Sequence, residues 1–263
     1  MYFPQSIQKL IAGQPYSRSE VGMSSSDVLV FPGHVLKIQP RSTETDNEYA
    51  IVTWLNGRLP TPRIPAYAEE NGMAYTLMTR VAGQMLCAPE LMREPQTVIS
   101  LAAECLRLLW SVDISGCPCR VSRLEERLKT ARCRVESGLV GMEDAEEGTY
   151  GPNGFRDPAE LLEWLEKNRP SEDLVLTHGD CCLPNLFAEN GHISGLIDLG
   201  KMGPADRWQD VAICLRSLRA NFTGRYGGEY LYPDFSPRML LDLLDLPMDE
   251  NKLRYYILLD ELS

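Results

Sequence analysis

The chain predicts an α+β fold of two lobes, a small β-rich one followed by a larger, mostly helical one. Three observations lead there. Short β-rich runs separated by turn residues fill most of the first eighty positions, and helical periodicity takes over from about residue 95. Between later helices, an apolar strand and a hairpin carry three oxygen-bearing side chains, Asp180, Asn185 and Asp198.

Segments 16–22, 27–31 and 34–39 read as strands, with turn signals at Gly22, Pro32-Gly33 and Pro40. Residues 43–57 predict a helix, because Ile51, Val52 and Leu55 form an apolar stripe and Gly57 stands at its end. Residues 73–79 return to strand, and Val81-Ala82-Gly83 reads as a connector. The first lobe is therefore set at 1–80 and the second at 81–263, with a hinge about 78–83. In the second lobe, 97–110 places Leu101, Cys105, Leu108 and Leu109 at helical spacing. Residues 120–137 and 157–168 predict two more helices, the latter opened by the cap and first residue Asp157-Pro158. The stretch 138–156, rich in glycine and acids, reads as a loop insertion. A strand at 174–178, a hairpin at 185–197 turning at Asn190-Gly191, and helices at 205–220 and 249–262 complete the order.

Composition narrows the class. The chain has 263 residues, 44% of them hydrophobic, ample for a large core. No apolar run approaches the roughly 20 residues of a membrane span. The opening MYFPQSIQKL lacks a basic segment followed by an apolar one, so a cytoplasmic protein is expected; a monomer or weak dimer is expected as well. The eight cysteines show no C-x2-C half-site and the three histidines are scattered, which predicts reduced thiols rather than zinc. A net charge of −11 argues against nucleic acid, whose phosphates need clustered lysine and arginine. Acids gather at Glu143-Asp144, Glu146-Glu147, Asp249-Glu250 and Asp260-Glu261, where they could hold a cationic ligand.

The chemistry centres on THGDCCLPNLFAENGHISGLID, residues 177–198. Asp180 follows a buried strand, so it is held rigidly and can take a proton from a substrate hydroxyl. Asn185 and Asp198 offer a neutral and a charged oxygen to a hard cation that completes its shell with phosphate and water. This is the order of parts in a magnesium-dependent phosphoryl transferase of the protein-kinase type. Lys37 in a strand and Glu48 on the apolar face of the next helix form the matching pair that aims an ammonium at phosphates. Gly22-Met23-Ser24-Ser25-Ser26 supplies small residues and hydroxyls for a phosphate cradle, a weak signal beside the plain turn it also fits. Gly195 to Lys201 has Walker-A spacing, but Met202 stands where a serine or threonine is needed, so a P-loop is rejected. His178 is assigned to holding the loop.

Taken together these residues resemble the aminoglycoside phosphotransferases, most of all the 3′-phosphotransferases acting on kanamycin and neomycin. The likeness covers nearly the whole chain and is strongest in LVLTHGDCCLPNLF, GHISGLIDLGKMGPADRWQDVAICLRSL and LRYYILLDELS. It implies a protein-kinase-like two-lobed fold, ATP or GTP bound near Met78 and Arg80, and Mg²⁺ on Asn185 and Asp198. It assigns Asp180 as the catalytic carboxylate, with Lys37 and Glu48 as the phosphate-positioning pair; Ser24 and Ser25 stay candidates for the nucleotide from the cradle reading alone. It places Glu147, with Glu146 or Glu143 as alternatives, and Asp260 and Glu261 around a polycationic aminoglycoside, and Lys201 near the substrate and phosphates. The chain departs from relatives at Ala220, Asn221 and Ser263, which keeps a kinase-like enzyme for another small hydroxylated amine or sugar as the alternative, and at Val35, which weakens one adenine contact.

Overall fold

In the computed structural model, residues 3–18, 26–143 and 145–263 are described. A short helix α1 (Gln5–Ile11) precedes a five-stranded antiparallel sheet built from β1 (Ser17–Arg18), β2 (Asp27–Val30), β3 (His34–Pro40), β4 (Ala66–Glu70) and β5 (Met73–Thr79), in the order β1-β2-β3-β5-β4. Alternation along β3 sends Leu36 and Ile38 into a core with Ile7, Ile11, Leu29, Phe31 and Leu77. Lys37 points to the other face, toward helix α2 (Thr43–Leu55). A capping box starts α2: Ser42 Oγ accepts from the Thr45 amide while Thr45 Oγ1 accepts from the Ser42 amide. Asn56, in the left-handed conformation, ends it.

Although α2 adjoins the sheet in sequence, its stripe of Ile51, Val52 and Leu55 packs into the second, larger core. The chain continues through β6 (Gln84–Met85), α3 (Pro89–Met92), α4 (Pro95–Trp110), α5 (Leu124–Glu136), α6 (Pro158–Lys167), β7 (Leu174–Thr177), β8 (Leu186–Glu189), β9 (His192–Leu196), β10 (Gly203–Asp206), α7 (Arg207–Phe222), α8 (Pro237–Leu243) and α9 (Glu250–Asp260), all of which except β6 and β10 contribute side chains to that core. β6, β8 and β9 form one small antiparallel sheet, and β7 pairs with β10. The β8–β9 hairpin turns at Asn190-Gly191 as the sequence predicts, both at positive φ.

The connector between sheet and helices is stitched to this hairpin. Ser194 Oγ donates to the Ala82 carbonyl at 2.7 Å. Gly83 has φ +86°, and a Cβ there would lie 2.2 Å from the Ala188 carbonyl oxygen, so only glycine allows so close a crossing. Residues 138–142 and 145–156 hold no regular element beyond the bridge of Tyr150 to Phe155, in keeping with a loop insertion. Among the described residues no helix is long and apolar enough to cross a membrane. All eight cysteines are free thiols, four of them buried.

Six elements escaped the sequence reading, among them the two-residue β6 and the four-residue α3. α1 is only seven residues long and is held by Ile7 and Ile11. β4 alternates weakly, β10 contains Gly203 and Pro204, and α8 lies in a stretch left unassigned. β10 forms because β7 offers it a partner through four paired positions, Gly203 to Asp206.

Candidate active site

β7 delivers the chain to His178, Gly179 and Asp180. Gly179 takes φ +86°, and a Cβ there would sit 2.2 Å from the Lys201 carbonyl oxygen. The loop bearing Asp180 thus lies directly against the segment that follows Asp198. Asp210, fully buried on α7, accepts from the amides of His178 at 2.6 Å and Gly179 at 2.9 Å. Burial raises the Asp210 pKa, against those two donors and the nearby His178. His178 is itself fully buried, and its Nδ1 accepts from the Asp180 amide at 3.4 Å, in line with a loop-holding role.

A 3-10 turn (Leu183–Asn185) returns Asn185 to Asp180. Its Nδ2 donates to the Asp180 carbonyl at 3.0 Å, to Asp180 Oδ2 at 3.2 Å and to Cys182 Sγ at 3.2 Å. These bonds fix the amide orientation and leave its oxygen as the remaining acceptor. The Asn185 carbonyl accepts from the Ile197 amide at 3.0 Å, which brings Asn185 beside Asp198. Asp198 sits just past β9 at φ 59°, a left-handed conformation that aspartate tolerates better than most residues.

Helix α2 holds the segment after Asp198. Asn47 Nδ2 donates to the carbonyls of Gly200 at 2.9 Å and Met202 at 2.8 Å, and Glu48 Oε1 accepts from the Leu199 amide at 3.0 Å. Lys37 Nζ reaches across to Asp198 Oδ1 at 2.6 Å and lies 3.7 Å from Glu48 Oε2. Glu48 is almost wholly buried, and burial pushes its pKa up despite the lysine. Burial would lower the Lys37 pKa, but Glu48 and Asp198 outweigh it and hold the ammonium charged. Burial likewise opposes the Asp198 charge, and Lys37 overcomes it, so the Asp198 pKa falls. Removing Lys37 or Glu48, the two enclosed members of this set, would cost about 3–5 kcal/mol.

The site suits a hard divalent cation. Among the described residues no group of three or more His, Cys, Asp or Glu could hold a metal ion by themselves. The half-exposed Asp198 carboxylate already draws a cationic partner, and the Asn185 backbone is held beside it through the Ile197 amide. Two protein oxygens suffice for Mg²⁺, which keeps phosphate and water in its shell.

The remaining candidates divide. Met78 pairs with Val35 where β5 meets the connector, and the Arg80 amide bonds the Gly33 carbonyl at 3.3 Å. Ser24 and Ser25 lie outside the described residues, as does Asp144. Lys201 lines a cavity of about 510 Å³ with Gly179, Ser122, Arg127 and Ser263. Glu147 is exposed. Asp260 is engaged by Arg127 at 3.1 Å and by Arg216, and Glu261 lies 3.6 Å from Arg216 and accepts from the Glu146 amide at 3.3 Å. Asp249 instead caps α9 through the Lys252 amide, so the Asp249-Glu250 pair serves a helix terminus rather than a ligand.

Asp210 and Asn47 went unremarked in the sequence. Asp210 had a readable signal: it shares a helical face with Cys214 and Ser217, an acid on a buried stripe, the same cue that marked Glu48. Asn47 had none, since its partners are carbonyls more than 150 residues away.

A two-lobed assembly with a lysine-carboxylate pair, a strand-end aspartate and an Asn/Asp oxygen pair defines a kinase-like phosphotransferase. Residues 21–239 match the Phosphotransferase enzyme family, and the chain belongs to it. It is 35% identical over 97% of its length to an aminoglycoside 3′-phosphotransferase of Enterococcus faecalis, covering 96% of that protein. A crystal structure of aminoglycoside-3′-phosphotransferase of type VIII matches with TM-score 0.76 and 27% identity, covering 98% of both chains. Aminoglycoside phosphotransferase APH(3″)-Id from Streptomyces rimosus, in complex with ADP and streptomycin, shares the fold with TM-score 0.76 at 21% identity, over 98% of this chain and 96% of that one.

Proposed function

We propose that the enzyme moves the γ-phosphoryl group of ATP, or GTP, to the 3′-hydroxyl of a kanamycin- or neomycin-type aminoglycoside. The observation carrying this reading is the convergence of Lys37, from β3, with Asp180, Asn185 and Asp198, from the 177–198 stretch up to 161 residues away, at one point. Asp180 orients the acceptor hydroxyl and takes its proton. Lys37, steadied by Glu48, positions the nucleotide phosphates, with Ser24 and Ser25 beside them and Met78 and Arg80 near the base. Asn185 and Asp198 would hold Mg²⁺, which when bound neutralises charge on the phosphates. Lys201, beside the catalytic loop, faces the region between acceptor and phosphates, and Glu147, Asp260 and Glu261 serve the ammonium groups of the acceptor. The division at residues 1–80 and 81–263 separates nucleotide from acceptor. Catalysis is then mainly alignment and electrostatic stabilisation.

A coupled assay of ATP consumption tests this. Kanamycin is expected to stimulate turnover, and an aminoglycoside lacking the 3′-hydroxyl is expected to give none. Turnover with the 3′-deoxy compound would move the reaction to another hydroxyl.

A further inference from the structure

Arg127, on the buried face of α5, reaches the chain terminus. Its Nη2 donates to Asp260 Oδ1 at 3.1 Å and to Ser263 Oγ at 2.8 Å. Asp260 also accepts from Arg216, whose Nη1 lies 3.6 Å from Glu261. Glu146 pairs with Arg225 at 2.7 Å, and its amide donates to Glu261. Arg127, Arg216 and Arg225 therefore match Asp260, Glu261 and Glu146 in number, and Lys201 adds a further cation near Asp260. Arg127 and Ser263 also line the cavity that Gly179 and Lys201 border, so this neutralised cluster adjoins the catalytic loop.

A polyammonium acceptor gains from an excess of negative charge, and a cluster whose acids are already matched offers little. Arg216 spans two of the acids, whereas Arg127 binds only one of them. Its removal would leave Asp260 with Arg216 as a partner and the cluster one positive charge poorer. We propose that Arg127 is a specificity-determining residue, an internal cation that limits how strongly the C-terminal acids hold the ammonium groups of an acceptor. This inference rests on the proposed function, because it takes the acceptor to lie beside these acids.

The test uses the full chain and three variants: Arg127→Gln and Arg127→Leu, which remove the charge, and Arg127→Lys, which keeps it. Each is titrated calorimetrically with neomycin and with the linear polyamine spermine, at low and high salt, and with MgATP. The neutral variants are expected to bind both polycations roughly fivefold tighter at low salt, as one partly screened charge allows. The gain should shrink at high salt. Arg127→Lys is expected to bind as wild type, and MgATP affinity is expected to stay unchanged in all three. Unchanged polycation binding in folded neutral variants would overturn the inference. So would an equal shift for MgATP, or the failure of both neutral variants to fold, since either marks Arg127 as purely structural. Absence of kanamycin turnover in wild type would instead sink the proposed function, while the spermine titration would still decide the role of Arg127.

Discussion

At the scale of single residues, the site depends on groups whose freedom has been removed. Asp180 is anchored through its carbonyl and carboxylate by Asn185, while the two preceding amides are held by Asp210. Asp180 itself is partly exposed, so neutralising it leaves little of the core unsupported. Asp180→Asn is therefore expected to lower kcat by about 10²–10⁴, the usual share of a general base, while the melting temperature changes little. Steady-state kinetics beside thermal melts check this. A variant with wild-type kcat would remove Asp180 from the chemistry. Lys37 and Glu48 were readable because a carboxylate on a buried helix stripe demands a cation. The short bond from Lys37 to Asp198 was not, because it joins residues 161 apart in sequence.

At the scale of elements, the sequence spoke clearly wherever a segment carried its own periodicity. The 43–57, 97–110, 157–168 and 185–197 segments are helices and a hairpin within a few residues of where patterning placed them. Those that escaped depend on tertiary partners: β10 on β7, and α1 on the face of the first sheet. Helix α9 shows the same dependence. Lys252 and Tyr256 on it meet the fully buried Asp206 at 2.6 and 3.0 Å, and its last residue Asp260 is locked by arginines from α5 and α7. None of these partnerships has a local signature.

The lock on α9 carries a pH signature. Burial alone would raise the Asp260 pKa, but Arg127, Arg216 and Lys201 outweigh it and hold it below the ordinary aspartate value. A folded-state pKa depressed in this way gives stability that is fully present above the unfolded value of about 3.9 and is lost as pH falls through the folded value. Asp260→Asn is expected to be less stable than wild type at neutral pH, with the gap closing on acidification below about pH 4. Urea unfolding at pH 7 and pH 3 measures it. A gap that stays constant over that range would show that the Asp260 charge contributes nothing to the lock.

At the scale of the molecule, two cores meet along α2. The first sheet buries one face of β3 in its own small core and turns Lys37 outward. α2 packs into the larger core, and its Asn47 and Glu48 grip the segment from Leu199 to Met202. One helix thereby ties the lysine strand to the Asp198 loop, which explains how residues from positions 37 to 210 converge without a local motif. The acidic clusters of the sequence are only partly open: arginines that composition counts only in bulk are paired with Asp260, Glu261 and Glu146, while Glu143 and Glu147 stay exposed.

The central claim is that this assembly transfers a phosphoryl group to one particular hydroxyl. Phosphorus and proton NMR of the product formed from kanamycin, ATP and Mg²⁺ tests it most directly. The account predicts a single phosphomonoester whose phosphorus couples to the proton at the 3′ position. A phosphate carried on any other hydroxyl, or ATP hydrolysed with kanamycin left unmodified, would contradict it.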